Sequence, residues 1–311
     1  MPSLAKYRLD IGNPLETIQT SVGIGTQGGS GLRFTDHHLE FQITKTNDLN
    51  KNKAFFKLYN LSEDSIANIN REAVVIFKTG YGDGELDTCY TGNVYDYDTE
   101  NVRLDKITTI HCEVGYIPSR RSRTKKTWLK NTKVREIIRD IIVKHMGLPD
   151  PLLVHNPKHK FAGRWGLEER IKRDLRLDAP AKIALDEVCK DHRLEYHLQD
   201  GDVYRVNYIG DAAILGETFV ELISPETGLI GSPKKLNKNS NKLPNAPDSK
   251  FGYKLETVLN PRLVPGDKCL LNSNEFRNKV LTIAEVTHKG SWEGVEWKSL
   301  VKLNDIEAKE E

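Results

Sequence analysis

The chain has 311 residues and carries 46 Lys and Arg against 44 Asp and Glu, for a formal charge of +2. That length accommodates two or three domains with ordinary cores, and the near balance of charge excludes a dedicated nucleic-acid coat, whose footprint is strongly basic. Cys89, Cys112, Cys189 and Cys269 are scattered without a Cys-x-x-Cys pair. A thiolate zinc site is therefore not expected, a disulfide framework is unnecessary at this size, and reduced thiols in a protein made in the cytoplasm are. The N-terminal Met1–Tyr7 lacks the apolar core of a signal peptide. No stretch approaches the roughly 20 apolar residues that cross a bilayer, so a soluble chain without a membrane partner is expected.

Residues from about Leu4 to Val114 read as β-rich. Lys6–Ile11 is a first strand, and Gly23–Gly31 is a glycine-dense loop. No helix follows that loop and no Gly-Lys-Ser or Gly-Lys-Thr ends it, so it reads as a connection and not as a phosphate cradle. Leu39–Thr44 alternates, with Leu39, Phe41 and Ile43 inward. Ala54–Leu61 is a second alternating strand, and Ser62 caps a short helix over Glu63–Asn70 whose first turn is acidic. Strands over Ala73–Gly82, Cys89–Tyr97 and Lys106–Val114 complete a run that suggests a barrel or sandwich and not βαβ units.

The segment Ser119–Lys130 turns basic, with Arg120, Arg121, Arg123, Lys125, Lys126 and Lys130 around Trp128. Such a run could hold phosphates and stack a base on the Trp. It reads better as a solvated interdomain loop or a salt-bridging subunit contact, because the rest of the chain offers no supporting basic face. A helix follows at Val134–Gly147, with Val134, Ile137, Ile138, Ile141, Ile142 and His145 on one stripe and Gly147 and Pro149 as its stop. His145, His155 and His159 with Asp150 do not make a metal site, since prolines break the stretch and no pair sits at i, i+4 in one helix. Arg164–Arg176 is a charged arm, extended or partly helical. A shorter helix spans Pro180–His192 with Asp178 as its expected cap, and Leu194–Val206 is a hairpin turning at Asp200-Gly201.

The third part alternates short strands with Pro/Gly turns. It opens on Ser224–Pro233 and crosses a polar loop, Leu236–Ser249, that has almost nothing to bury. At Pro265-Gly266 it makes a type I or II turn, Gly266 supplying the positive φ that type II demands. Cys269 then begins a strand. Val280, Thr282, Ala284 and Val286 are expected on one face of the next strand, with Leu281, Ile283 and Glu285 on the other. Gly290–Gly294 is a hairpin loop, Val295–Val301 returns, and Asp305–Glu311 is a mostly acidic tail. No nucleophile stands beside a base. Glu293 and Glu296 near His288, and Asp83 and Glu85 beside Gly82 and Gly84, are isolated, and no Gly-x-Ser-x-Gly elbow occurs. No enzyme, catalytic group, cofactor or metal is expected.

The ordered set Phe56–Ser62, Val74–Tyr81, Tyr90–Val94, Ser224–Pro233 and Leu259–Asp267 resembles the baseplate hub proteins of long-tailed bacteriophages and phage-tail-like particles, over about residues 5 to 303. The resemblance implies a mainly β fold with an α/β insertion: two tail-tube-like antiparallel β-barrel or sandwich domains, at 1–117 and 211–304, and a smaller α+β domain at 118–210. It implies a structural virion protein of the tail baseplate, assembled in the host bacterial cytoplasm. Such a protein forms a homotrimer that joins a sixfold tail tube to a threefold central spike around a channel for DNA. Its implied partners are the tail tube protein, the central spike protein, the tape-measure C-terminus and other baseplate proteins, with no sequence-specific nucleic acid. The alternative is a DNA-contacting channel or interaction module using Arg120–Lys130.

Overall fold

The computed structural model describes residues 5–12, 31–47, 52–115, 121–155, 157, 161–162, 164–200, 203–209, 221–236, 252–294 and 296–304. Period-two alternation sets the first seven strands: β1 (Ala5–Gly12), β2 (Leu32–Phe34), β3 (Leu39–Thr46), β4 (Lys53–Tyr59), β5 (Val74–Tyr81), β6 (Asp87–Val102) and β7 (Asp105–Glu113). Leu39, Phe41 and Ile43 point inward as expected, and the same phase carries Lys45 inward after them. Between β4 and β5, Ser62 Oγ accepts from the Ser65 N–H at 3.2 Å and starts helix α1 (Glu63–Ala67), which ends a turn sooner than its sequence suggests. β6 runs five residues past the expected Tyr97. Its polar Asp98–Val102 is held by cross-strand pairing to β7, including a 3.1 Å contact between the hydroxyls of Thr99 and Thr108. The glycine loop lies outside the described residues up to Gly31, as do Asn237–Ser249 and Asp305–Glu311.

The insertion opens with strand β8 (Arg123–Trp128) and helix α2 (Val134–Asp140), which widens into a π-turn over Ile141–His145 and stops at Gly147, φ +69°. Strand β9 (Leu152–Leu153), strand β10 (Leu175–Pro180), helix α3 (Ala181–Asp191) and the hairpin β11 (Leu194–Gln199) and β12 (Val203–Tyr208) follow. The arm before α3 is thus extended at its C-terminal end. Asp178 does not cap α3: Pro180 takes the N-cap position, and Asp178 sits in β10 opposite Lys125. Ile137, Ile138, Ile141, Ile142, Leu185 and Val188 pack in one cluster with Phe41, Phe56 and Phe77 of the β layer.

After β12 come β13 (Glu221–Ile223), a 3-10 turn at Pro225–Thr227, β14 (Leu229–Leu236), β15 (Gly252–Val258), β16 (Lys268–Leu271), β17 (Lys279–Ser291) and β18 (Trp297–Asn304). Gly266 has φ +90°, as its turn requires. The expected faces of β17 hold only in part. A bulge between Ile283 and Glu285 shifts the phase by one, so Val286 joins Leu281 and Ile283 in a second core while Val280 faces outward. β17 also pairs β3, so both ends of the chain contribute to a single 13-stranded sheet: eleven strands run β14-β15-β18-β17-β3-β4-β7-β6-β5-β1-β2, and β16, paired with β17, and β13, paired with β16, branch off that path. At that seam Gly290 lies opposite Phe41, and a Cβ there would stand 2.4 Å from the Phe41 ring and 2.6 Å from that of Trp297.

Candidate interaction surface

Among the described residues the candidate reacting groups stand apart from one another. His288 is wholly buried on β17, with Nδ1 2.8 Å from Ser299 Oγ, while Glu293 lies beside His38 at 3.6 Å and Glu296 beside Lys298 at 3.4 Å. Asp83 pairs with Lys6. Asp150 makes a two-point contact to Arg139, and His155 lies 3.1 Å from the Tyr208 hydroxyl. His159 lies outside the described residues. No group of three or more His, Cys, Asp or Glu among the described residues could hold a metal ion, and no described helix is long and apolar enough to cross a membrane. All four cysteines are free and buried, and burial pushes the thiols of Cys89 and Cys269 up to about 12.

The basic segment is a strand and not a loop. β8 pairs antiparallel with β10 in a two-stranded ribbon, and neither has another strand neighbour among the described residues. Alternation divides the segment. Thr124 and Trp128 are buried and Lys126 is half-buried, whereas Arg123 and Lys125 face water. Trp128 is therefore not available to stack a base. Its Nε1–H donates to Asp140 Oδ2 at 3.0 Å, and Lys126 and Lys144 approach the same carboxylate at 2.5 and 2.8 Å. Burial works against that charge, but the hydrogen bonds from Lys126 and Lys144 outweigh it and hold Asp140 below the usual carboxylate range.

Arg121, just before β8, reaches Glu72 of the N-terminal β layer at 2.6 Å, and Arg123 reaches Asp178 at 2.8 Å and so joins the two strands of the ribbon. Arg120 lies outside the described residues. Lys125 and Lys130 make no ion pair among the described residues, although the Lys130 N–H bonds Asp174. The structure joins them to cations that the sequence places in a separate arm. Arg176 lies across the ribbon from Thr127, and the two segments continue side by side, Asn131 N–H donating to Ile171 O and Ile171 N–H to Thr132 O. Lys172, Arg173 and Arg176 are exposed there. The signal for this was present in Arg170–Asp178, where Ile171, Leu175 and Leu177 recur at odd positions among charges, as a half-exposed strand does.

The insertion grips the β layer through polar groups at the tip of its hairpin. Lys45, 1% exposed, forms an ion pair with Asp200 Oδ2, and the Thr91 N–H lies 3.4 Å from the other oxygen. The Asn52 side-chain amide donates to Leu198 O and Gln199 Oε1, and Gln199 Nε2 donates to Thr46 O at 3.1 Å and to the neutral His197 Nδ1 at 2.7 Å. Arg205 bonds Asp267 at 2.6 Å. The hairpin thus touches both the N-terminal and the C-terminal strands of the sheet. Burial first, and then the Arg205 cation, depress His197 to about 3.

No protein-family model matches the chain, and no characterised protein matches it in sequence. Solved structures do. A 43 kDa tail protein of prophage MuSo2 from Shewanella oneidensis superposes with a TM-score of 0.61 at 6% identity, covering 96% of each chain. A tail protein from Neisseria meningitidis MC58 gives 0.60 at 9% identity, again over 96% of each. The E. coli c3393 protein, a type VI secretion component described as structurally similar to the T4 tail proteins gp27 and gp5, gives 0.59 at 11% identity over 87% of this chain and 74% of that one. The mainly β architecture with its inserted helices is, over nearly the whole chain, the fold of tail proteins.

Proposed function

We propose that the chain is a structural component of a phage tail or phage-tail-like particle, and within it the baseplate hub. Superposition on two tail proteins over 96% of each chain supports this reading. In this reading three copies close into a ring by heterologous contacts. The terminal strands β2 and β14 offer edges with a single partner each among the described residues. One face meets the tail tube and the other the central spike, with the tape-measure C-terminus reaching the interior and other baseplate proteins outside. Residues 1–117 and 211–304 act as the two tube-like units and 118–210 as the domain between them. Assembly takes place in the host cytoplasm and the product resides in the virion.

Light scattering across concentration tests the ring. A trimer, or a monomer moving toward trimer as concentration rises, is expected. A stable dimer or tetramer refutes threefold closure.

A further inference from the structure

We infer that the basic ribbon is a docking strip for an acidic, extended polypeptide segment of a partner chain. The inference names a partner chemistry for the strip and holds whether or not three copies form a ring. Three observations carry it. First, Lys125, Lys130, Lys172, Arg173 and Arg176 are exposed and make no ion pair among the described residues, while only Asp174 and Asp178 lie among them and Asp178 is engaged by Arg123. The strip thus carries a local positive surplus on a chain of overall charge +2. Charge complementarity of this kind selects an acidic partner and speeds its encounter.

Second, β8 and β10 pair only with each other among the described residues. Two strands with open edges present rows of backbone N–H and C=O groups, which an incoming extended segment satisfies as an added strand. Third, Leu129, 69% exposed, stands at the end of β8 beside Lys130 and supplies an apolar contact that a phosphate backbone would not use.

The same observations disfavour nucleic acid. The aromatic residue of the strip is buried against Asp140, so the stacking that single-stranded nucleic acid uses is lost. A polypeptide with alternating acidic and apolar residues meets all three features together, with carboxylates for the cations, a backbone for the open edge and a side chain for Leu129.

The test is fluorescence anisotropy with four labelled probes: a twelve-residue alternating Glu-Val peptide, its Lys-Val counterpart, and a twenty-nucleotide DNA as a single strand and as a duplex. Each is titrated with the full chain at low and at physiological salt. Saturable binding of the Glu-Val peptide is expected, with none for Lys-Val. Raising the salt should weaken it, and Arg176→Glu with Lys172→Glu should weaken it at least about tenfold. Arg176 faces Thr127 across the ribbon, so its reversal sets no two carboxylates directly opposite each other. Leu129→Ser, which leaves the charge intact, should weaken binding by a smaller factor. Absence of saturable Glu-Val binding, or binding that neither variant alters, overturns the proposal. Tighter binding of DNA that is lost in the charge reversal also overturns it and assigns the strip to nucleic acid.

Discussion

The contact between Lys45 and Asp200 yields a sharp asymmetry. Lys45 is 1% exposed on the inward face of β3, whereas the Asp200 side chain at the hairpin tip is 21% exposed. Asp200→Asn leaves a buried ammonium without its carboxylate. An uncompensated buried charge costs about 3–5 kcal/mol. Lys45→Met keeps most of the stem's apolar volume and leaves a carboxylate that water and the Thr91 N–H can reach. The loss is then nearer that of a charged hydrogen bond, about 1–3 kcal/mol. Asp200→Asn should therefore be the more damaging change by about 2 kcal/mol. The double variant should cost clearly less than the sum of the two, because the second substitution removes the group that the first one stranded. Urea unfolding followed by tryptophan fluorescence and by far-UV dichroism measures this from the midpoint, with the slope checked for constancy. If Lys45→Met costs as much as Asp200→Asn, or if the two add, desolvation of the cation does not govern this joint and the reasoning fails.

Acidification should loosen the same hairpin. The unfolded chain protonates His197 near 6.5 whereas the folded one resists to about 3, so stability is complete above pH 6.5 and falls as pH drops through that window. The loss is about 2 kcal/mol by pH 5, and in His197→Gln the urea midpoint should vary less between pH 7 and 5. Asp140→Asn should destabilise by about 2–4 kcal/mol, because Lys126 and Lys144 lose their charge partner and the buried Trp128 N–H an ionised acceptor, which thermal unfolding would register. Gly290→Ala forces the rings of Phe41 and Trp297 apart and should cost about 1–3 kcal/mol, read in denaturant; a neutral result would mean that the seam is looser than these contacts imply. The four thiols should resist a disulfide-exchange reagent in the native protein and react only on unfolding.

Much of the local structure follows from neighbours in sequence. Leu39, Phe41 and Ile43 define an inward face, Ser62 caps its helix, Gly147 and Gly266 stand where positive φ is needed, and the stripe from Val134 to Ile142 is the buried face of its helix. These features depend on period, propensity and turn chemistry, which act within a few residues. What the sequence alone did not determine depends on partners far along the chain. The same phase that puts Ile43 inside puts Lys45 inside, and a buried lysine is tolerable only because Asp200, 155 residues away, meets it. The bulge after Ile283, the length of β6 and the displacement of Asp178 from its expected cap are likewise set by the strands alongside. The basic strip shows the same division. Its cations at 120–130 are plain in the sequence, but antiparallel pairing sets Arg176 beside them and packing against α2 buries Trp128, because local patterning acts along the chain and tertiary contacts act across it.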